Sequence, residues 1–407
     1  MTNFGLFNLL KIQTAQKKRQ YFSKNSNKFR RYNFLFLKLT SIVLLGVGLF
    51  NWAIDPYGVF NSPQFSGLNQ AKPEKLNNMR LFKAADVTRI KPVTIFLGSS
   101  RTEYGLNPNH PALNNKQPAY NLALGAATPY ELLRYLKHAI ANQPNLKLAI
   151  IGIDEFMFNE LNKESSDFSE QRLEKQHLTI QDAINTSLSL DALIASKKTI
   201  SLSQKYPKYY SYTPKGSLNP RLIDRDPSAT NYRFTKSIGF YFQVFPQYEL
   251  SYKYLKEFEK IINLCQQKGI ETKVFISPAH ATRWEAIHTA EHWSMFEQMK
   301  REIVKITPVW DFSGYNTITT ELIKNDINNY IDDSHYRQEV GDLILNRILS
   351  YKDKKVPNDF GILLTPNNIE VHLTRIRAER EIWAKNNPDE VELVKKLKLN
   401  LESQNPK

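Results

Sequence analysis

Apolar positions along the chain fall into two regimes. From Phe34 to Ile54 they form one long run, interrupted by charge once, at Lys38. At about 1.5 Å per residue, residues 34–54 reach across the roughly 30 Å hydrocarbon core of a bilayer. A lysine near a helix end can lift its ammonium to the headgroups. The run therefore predicts a transmembrane helix. Beyond residue 90, short apolar runs alternate with stretches of helical spacing. Val93–Leu97, Ala119–Leu124, Leu146–Ile153, Thr272–Ile276 and Val309–Phe312 read as buried strands. Glu131–Ala141, Glu249–Lys268, Glu291–Ile306 and Glu339–Leu349 carry the helical period. Strands alternating with helices predict an α/β domain over residues 90–350, with a parallel sheet between two helical layers. In such sheets the ligand lies beyond the carboxyl ends of the strands.

Three stretches fall outside this alternation. Residues 55–89, rich in Pro, Asn and Gly, read as a juxtamembrane connection with a helical patch near Lys75–Ala85. Residues 157–245 interrupt the domain as an insertion, with helical spacing over Ile180–Leu202 followed by Tyr206, Tyr209, Tyr210 and Tyr212 among lysines. Such a cluster can stack on sugar rings, and it equally fits an ordinary solvated loop. Residues 351–407 begin polar and end as a helical extension, with Pro388 predicting a frayed end.

Charge adds topology. The net charge is +15, yet residues 1–38 hold nine Lys/Arg and no acid. This concentration argues against a nucleic-acid surface on the domain. It predicts a cytoplasmic basic segment, residues 1–33, by the positive-inside rule. Everything after Asp55 is then exported across the inner membrane, to the periplasm or cell exterior. A cleaved signal peptide is the rival reading, but Phe50-Asn51-Trp52-Ala53-Ile54 offers no small-residue cleavage site. One cysteine, Cys265, excludes an internal disulfide, and eight scattered histidines suggest no metal set. No cofactor motif is evident.

Two blocks carry polar residues suited to chemistry. Gly98-Ser99-Ser100-Arg101 follows the first strand. A serine there presents both its hydroxyl and its own N–H at the sheet edge, the N–H as an oxyanion donor. Asp332-Asp333-Ser334-His335 precedes the last core helix. Asp332 and His335, three apart, share one face of a turn, so the carboxylate can fix the imidazole tautomer and leave its other nitrogen to deprotonate a serine. A capped helix start explains the same spacing.

Together these blocks resemble the SGNH/GDSL hydrolases over roughly residues 90–350. The resemblance implies a flavodoxin-like α/β/α fold with Ser100 as nucleophile, and Asp332 and His335 completing a triad. It places Ser100, Gly125 (in Asn121-Leu122-Ala123-Leu124-Gly125) and Asp154 (in Gly152-Ile153-Asp154-Glu155) at the oxyanion hole. The family has Asn where Asp154 stands, and an ionised carboxylate accepts rather than donates. Gly-Ser-Ser behind a membrane anchor is similar to exported proteins of teichoic acid D-alanylation and alginate O-acetylation. That implies an esterase or O-acyltransferase acting on an envelope polysaccharide, beside a membrane-bound O-acyltransferase. A non-catalytic glycan-binding or assembly factor on the same fold is the alternative. Arg101, next to the nucleophile, is a candidate either to meet an anionic polymer or to orient Asp154, and His280, in Ser277-Pro278-Ala279-His280 after the fourth strand, either lines the cleft or is a satisfied structural histidine.

Overall fold

A computed structural model describes residues 4–219 and 227–404. Residues 1–3 of the basic segment, 220–226 of the insertion and 405–407 of the extension lie outside the described residues, as do the side chains before Lys28. Helix α1 (Phe4–Ile54) contains the apolar run, and its stretch Lys28–Ile54 is long and apolar enough to cross a membrane. Leu44, Leu45 and Leu49 on it are exposed, as a lipid-facing helix requires.

The domain is built on a six-stranded sheet: β1 (Thr94–Leu97), β2 (Ala119–Asn121), β3 (Leu148–Ile153), β4 (Glu271–Ile276), β5 (Val309–Asp311) and β6 (Ile362–Leu364). The order is β2-β1-β3-β4-β5-β6. The first five strands are parallel, at the places their apolar runs predict. The sheet is nonetheless mixed, because β6 pairs antiparallel with β5. It lies in the extension expected to be only polar and helical. Its three residues are too few to show a period of two.

Helices α2 (Met79–Ile90), α3 (Ser100–Gly105) and α4 (Pro129–Asn142) accompany the first strands. The insertion holds α5 (Glu170–Leu173), α6 (Ile180–Ser187), α7 (Leu190–Lys205) and α8 (Thr230–Val244). Then follow α9 (Tyr252–Gln267), α10 (Ala281–Thr289), α11 (Trp293–Ile306), α12 (Gln338–Ile348), α13 (Ile369–Asn386) and α14 (Pro388–Gln404). Alternate strand residues feed two cores. Ile95, Leu97, Ile151 and Ile276 join α4, α9 and α11 in one. Phe96, Ile150 and Phe275 join Val340, Ile344 and Leu345 of α12 in the other. α14 is not frayed: Pro388 occupies its first turn, where a missing N–H costs nothing, and Val394 is fully buried. Of the tyrosine cluster, Tyr212 is buried against Phe82, whereas Tyr206 and Tyr210 are exposed.

The order 2-1-3-4-5 creates a topological switch point between β1 and β3, where a crevice opens at their carboxyl ends. α3 starts there and is held down by α12. The contact is backbone to backbone: a Cβ on Gly341 would stand 1.8 Å from the Gly105 carbonyl oxygen. Gly341→Ala should therefore cost about 1–3 kcal/mol by overpacking, read as a lowered denaturant midpoint, since only backbone movement can relieve the clash.

Candidate active site

The turn after β1 is dictated by close packing. Gly98 has φ +153°, and a Cβ there would lie 2.3 Å from Thr102 Oγ1 and 2.9 Å from the Gly152 carbonyl oxygen. With no side chain at Gly98, β1 and β3 approach closely and the chain turns straight into α3. Ser99 caps that helix by accepting from the Arg101 N–H at 3.1 Å. Ser100 is thus the first residue of α3, where backbone N–H groups have no intrahelical partner. Its own N–H stands beside its hydroxyl.

The structure brings Ser100, His335 and Asp332 together. Ser100 Oγ lies 2.9 Å from His335 Nε2. His335 Nδ1 lies 2.9 and 3.0 Å from the two Asp332 carboxylate oxygens. With Nδ1–H donated to the carboxylate, Nε2 is left to accept the serine proton. Asp332 also accepts the N–H groups of Ser334 and His335, both at 2.8 Å. Burial opposes its charge. The imidazole and the two N–H groups outweigh burial and hold Asp332 below the usual carboxylate range. Tyr104 stacks on the His335 ring at 4.6 Å between centroids, which fixes the ring's plane.

Arg101 borders the crevice over Ser100 and, of its two expected roles, takes that of orienting Asp154. It is 1% exposed, and its donors are already engaged. It holds Glu155 through two bonds, at 2.6 and 2.8 Å, Asp154 at 3.2 Å and the Ser334 hydroxyl at 3.0 Å. One guanidinium therefore ties the end of β1, the end of β3 and the loop carrying Asp332 and His335. Asp154 accepts from Arg101 and from the Ser99 hydroxyl and is fully buried. It works as an acceptor that sets the turn, and it does not supply an oxyanion donor. Gly125 is also otherwise engaged: its N–H points at Met79 Sδ, 3.0 Å away. His280 lies outside the crevice. It is fully buried, caps α10 by accepting from Thr282 N–H at 3.2 Å, and donates Nε2–H to the Glu321 carbonyl at 2.6 Å. Burial pushes its pKa down to about 4, so it is a neutral structural histidine.

A cavity of about 250 Å³ opens over Ser100 and His335. Phe156, Phe240, Val244 and Phe245 give it an apolar wall, and Arg283 contributes a cation. Arg283 is held by Asp333, 2.9 Å away. Sequence reasoning missed the α8 residues of this wall and the Arg283–Asp333 pair. The helical spacing of Phe234, Ile238, Tyr241 and Phe242, all buried on α8, was the available signal that this part of the insertion packs on the domain. The chain matches no protein-family model and no curated protein. The functional reading accordingly stands on the site's geometry.

Removing Arg101 would strand two buried carboxylates, which costs about 3–5 kcal/mol. Arg101→Met should lose that much in denaturant unfolding. Burial opposes the charge of Glu155, but Arg101 outweighs it and holds the carboxyl below its ordinary 4.5. Its stabilising contribution is then complete above 4.5 and is lost as pH falls below that toward the lowered value. Stability measured between about pH 6 and about pH 3 should accordingly fall less steeply in Glu155→Gln than in the wild type.

Proposed function

We propose that the chain is a membrane-anchored serine O-acyl esterase or O-acyltransferase of the SGNH/GDSL type, with its three-layer α/β/α domain exported and its N-terminus in the cytoplasm. The observation that carries this reading is the continuous relay from Ser100 Oγ through His335 to Asp332, with links of 2.9 and 2.9 Å. His335 Nε2 takes the Ser100 proton as Oγ forms a bond to the acyl carbonyl carbon. The carbonyl π pair moves to oxygen and meets the Ser100 N–H. The C–O bond to the leaving alcohol then breaks, and that alcohol receives the proton from His335. Water or a sugar hydroxyl, deprotonated by the same nitrogen, attacks the acyl carbon; the acyl–Oγ bond breaks and His335 returns the proton to Ser100 Oγ. The apolar wall over the serine suits the acyl group and limits water. Esterase and transferase share every one of these steps and differ in the second nucleophile. An envelope polysaccharide as acceptor and a membrane-bound O-acyltransferase as partner follow from the family resemblance and the anchor.

One observation favours a second reading, a non-catalytic glycan-binding or assembly factor. The Gly125 N–H faces a thioether, and Asp154 accepts. That leaves the Ser100 N–H, at the free end of α3, as the donor for the oxyanion. Loss of one such donor costs on the order of 10²–10³ in rate, so a site with fewer donors is slower without being inert.

The triad acts as a unit, so its mutations should be strongly non-additive. Ser100→Ala and His335→Ala should each remove nearly all aryl-ester turnover, and the double variant should be little slower than either. Asp332→Asn should cost less, because the imidazole persists in the wrong tautomer. Folded Ser100→Ala that restores glycan acylation in a deletion strain as well as the wild type would leave the assembly-factor reading in its place.

A further inference from the structure

We infer that the α6–α7 hairpin is a second membrane-contacting element, whose tip enters the lipid interface beside the end of α1. The inference rests on the membrane-spanning reading of α1 and adds a lipid-binding surface to it. The hairpin packs on the final turns of the apolar run. A Cβ at Gly48 would touch the Leu188 side chain at 3.0 Å. Asn51 Nδ2 donates to the Ser187 carbonyl at 2.8 Å, and Ser196 Oγ donates to Asn51 Oδ1 at 2.8 Å. Gly48 stands about 9 Å before Ile54 along the helix axis. When α1 spans the bilayer, the hairpin tip is carried to that depth with it.

The tip is chemically suited to that depth. Ile184, Leu188, Leu190, Leu193 and Ile194 are exposed around it, Leu190 to 78% and Ile194 to 66%. Its hydroxyls are satisfied within the hairpin. Thr186 donates to the Asp182 carbonyl, Ser187 to Ala183 and Ser189 to Asn185, at 2.6–2.7 Å. Asn51 is the amide side chain within the apolar run, and in hydrocarbon an unpaired amide costs several kcal/mol. The hairpin supplies both of its partners. Asn185 accepts from Gln181 at 2.8 Å, and exposed Asp191 sits in the first turn of α7, where free N–H groups favour a carboxylate. These two groups set the depth at the headgroup–acyl boundary, the level typical of amphipathic interfacial helices. Two contacts, a span and a hairpin, fix the tilt of the domain on the bilayer as one span does not.

The test uses the full chain in phosphatidylcholine–phosphatidylglycerol vesicles. Cys265 is buried, so an environment-sensitive fluorophore reports Leu190→Cys and Ile194→Cys without background. Val371→Cys, an equally exposed aliphatic site on α13, is the aqueous reference, and Leu44→Cys is the reference within α1. Shallow spin-labelled lipids should quench the two hairpin labels about twofold or more over Val371, and lipids labelled deep in the acyl chain should quench Leu44, about 15 Å before Ile54. Quenching at Leu44 with none at the hairpin overturns the hairpin proposal alone. Absence of quenching at Leu44 overturns the spanning reading and the hairpin with it. Hairpin labels shielded by a second copy or another protein, and not by lipid, also contradict it.

Discussion

The buried guanidinium of Arg101 is the constraint on which the site depends. It gathers Asp154, Glu155 and Ser334 from two segments far apart in sequence. Without it, the loop bearing Asp332 and His335 keeps its ion pair to α10, Asp333 with Arg283, but loses this tie to the ends of β1 and β3. A buried ion pair contributes little net stability, because desolvation offsets attraction. What it contributes here is position: the carboxylates cannot stay buried unless the guanidinium is centred between them. That requirement fixes the register of the turn after β1, and so the direction in which Ser100 points.

The outer parts of the fold hold the same crevice from other sides. Gly98 lets β1 and β3 close up under the turn, and Gly341 lets α12 seat α3. The C-terminal extension is bolted to the sheet by a buried trio, Lys300, Asp311 and His372, with both contacts to Asp311 at 2.7 Å. Arg380 of α13 adds a pair with buried Glu285 of α10 at 2.8 Å. α8 then closes over the serine, bringing the apolar wall that an acyl group would meet. The insertion thus serves two ends, with α8 at the crevice and the α6–α7 hairpin against α1.

Much of the sheet was legible in the sequence because strands buried on both faces are continuous apolar runs. β3, wholly buried as Leu148–Ile153, is the clearest case. β6 was not legible, since three residues at an edge carry no period. Ser100, Asp332 and His335 could be singled out from residue type and spacing, and the structure places them in one relay. The roles of Arg101, Asp154 and His280 were legible only as alternatives. Asp154 was placed by the family resemblance, Arg101 by its place next to Ser100 and His280 by following a strand, but direction depends on partners distant in sequence. Arg101 turns inward because Glu155 and Asp154 wait there. His280 turns inward because its first duty is to cap α10 and satisfy the Glu321 carbonyl. Gly125 follows its expected strand, yet Met79 from the juxtamembrane segment takes up its N–H.

The central claim is that Ser100 is a nucleophile activated by His335. Mass spectrometry of the protein treated with a serine-reactive phosphonate tests it most directly. A single adduct, mapped to the peptide containing Ser100 and abolished by His335→Ala with the protein still folded, is the predicted result. Absence of an adduct, or one that His335→Ala leaves undiminished, would contradict the account.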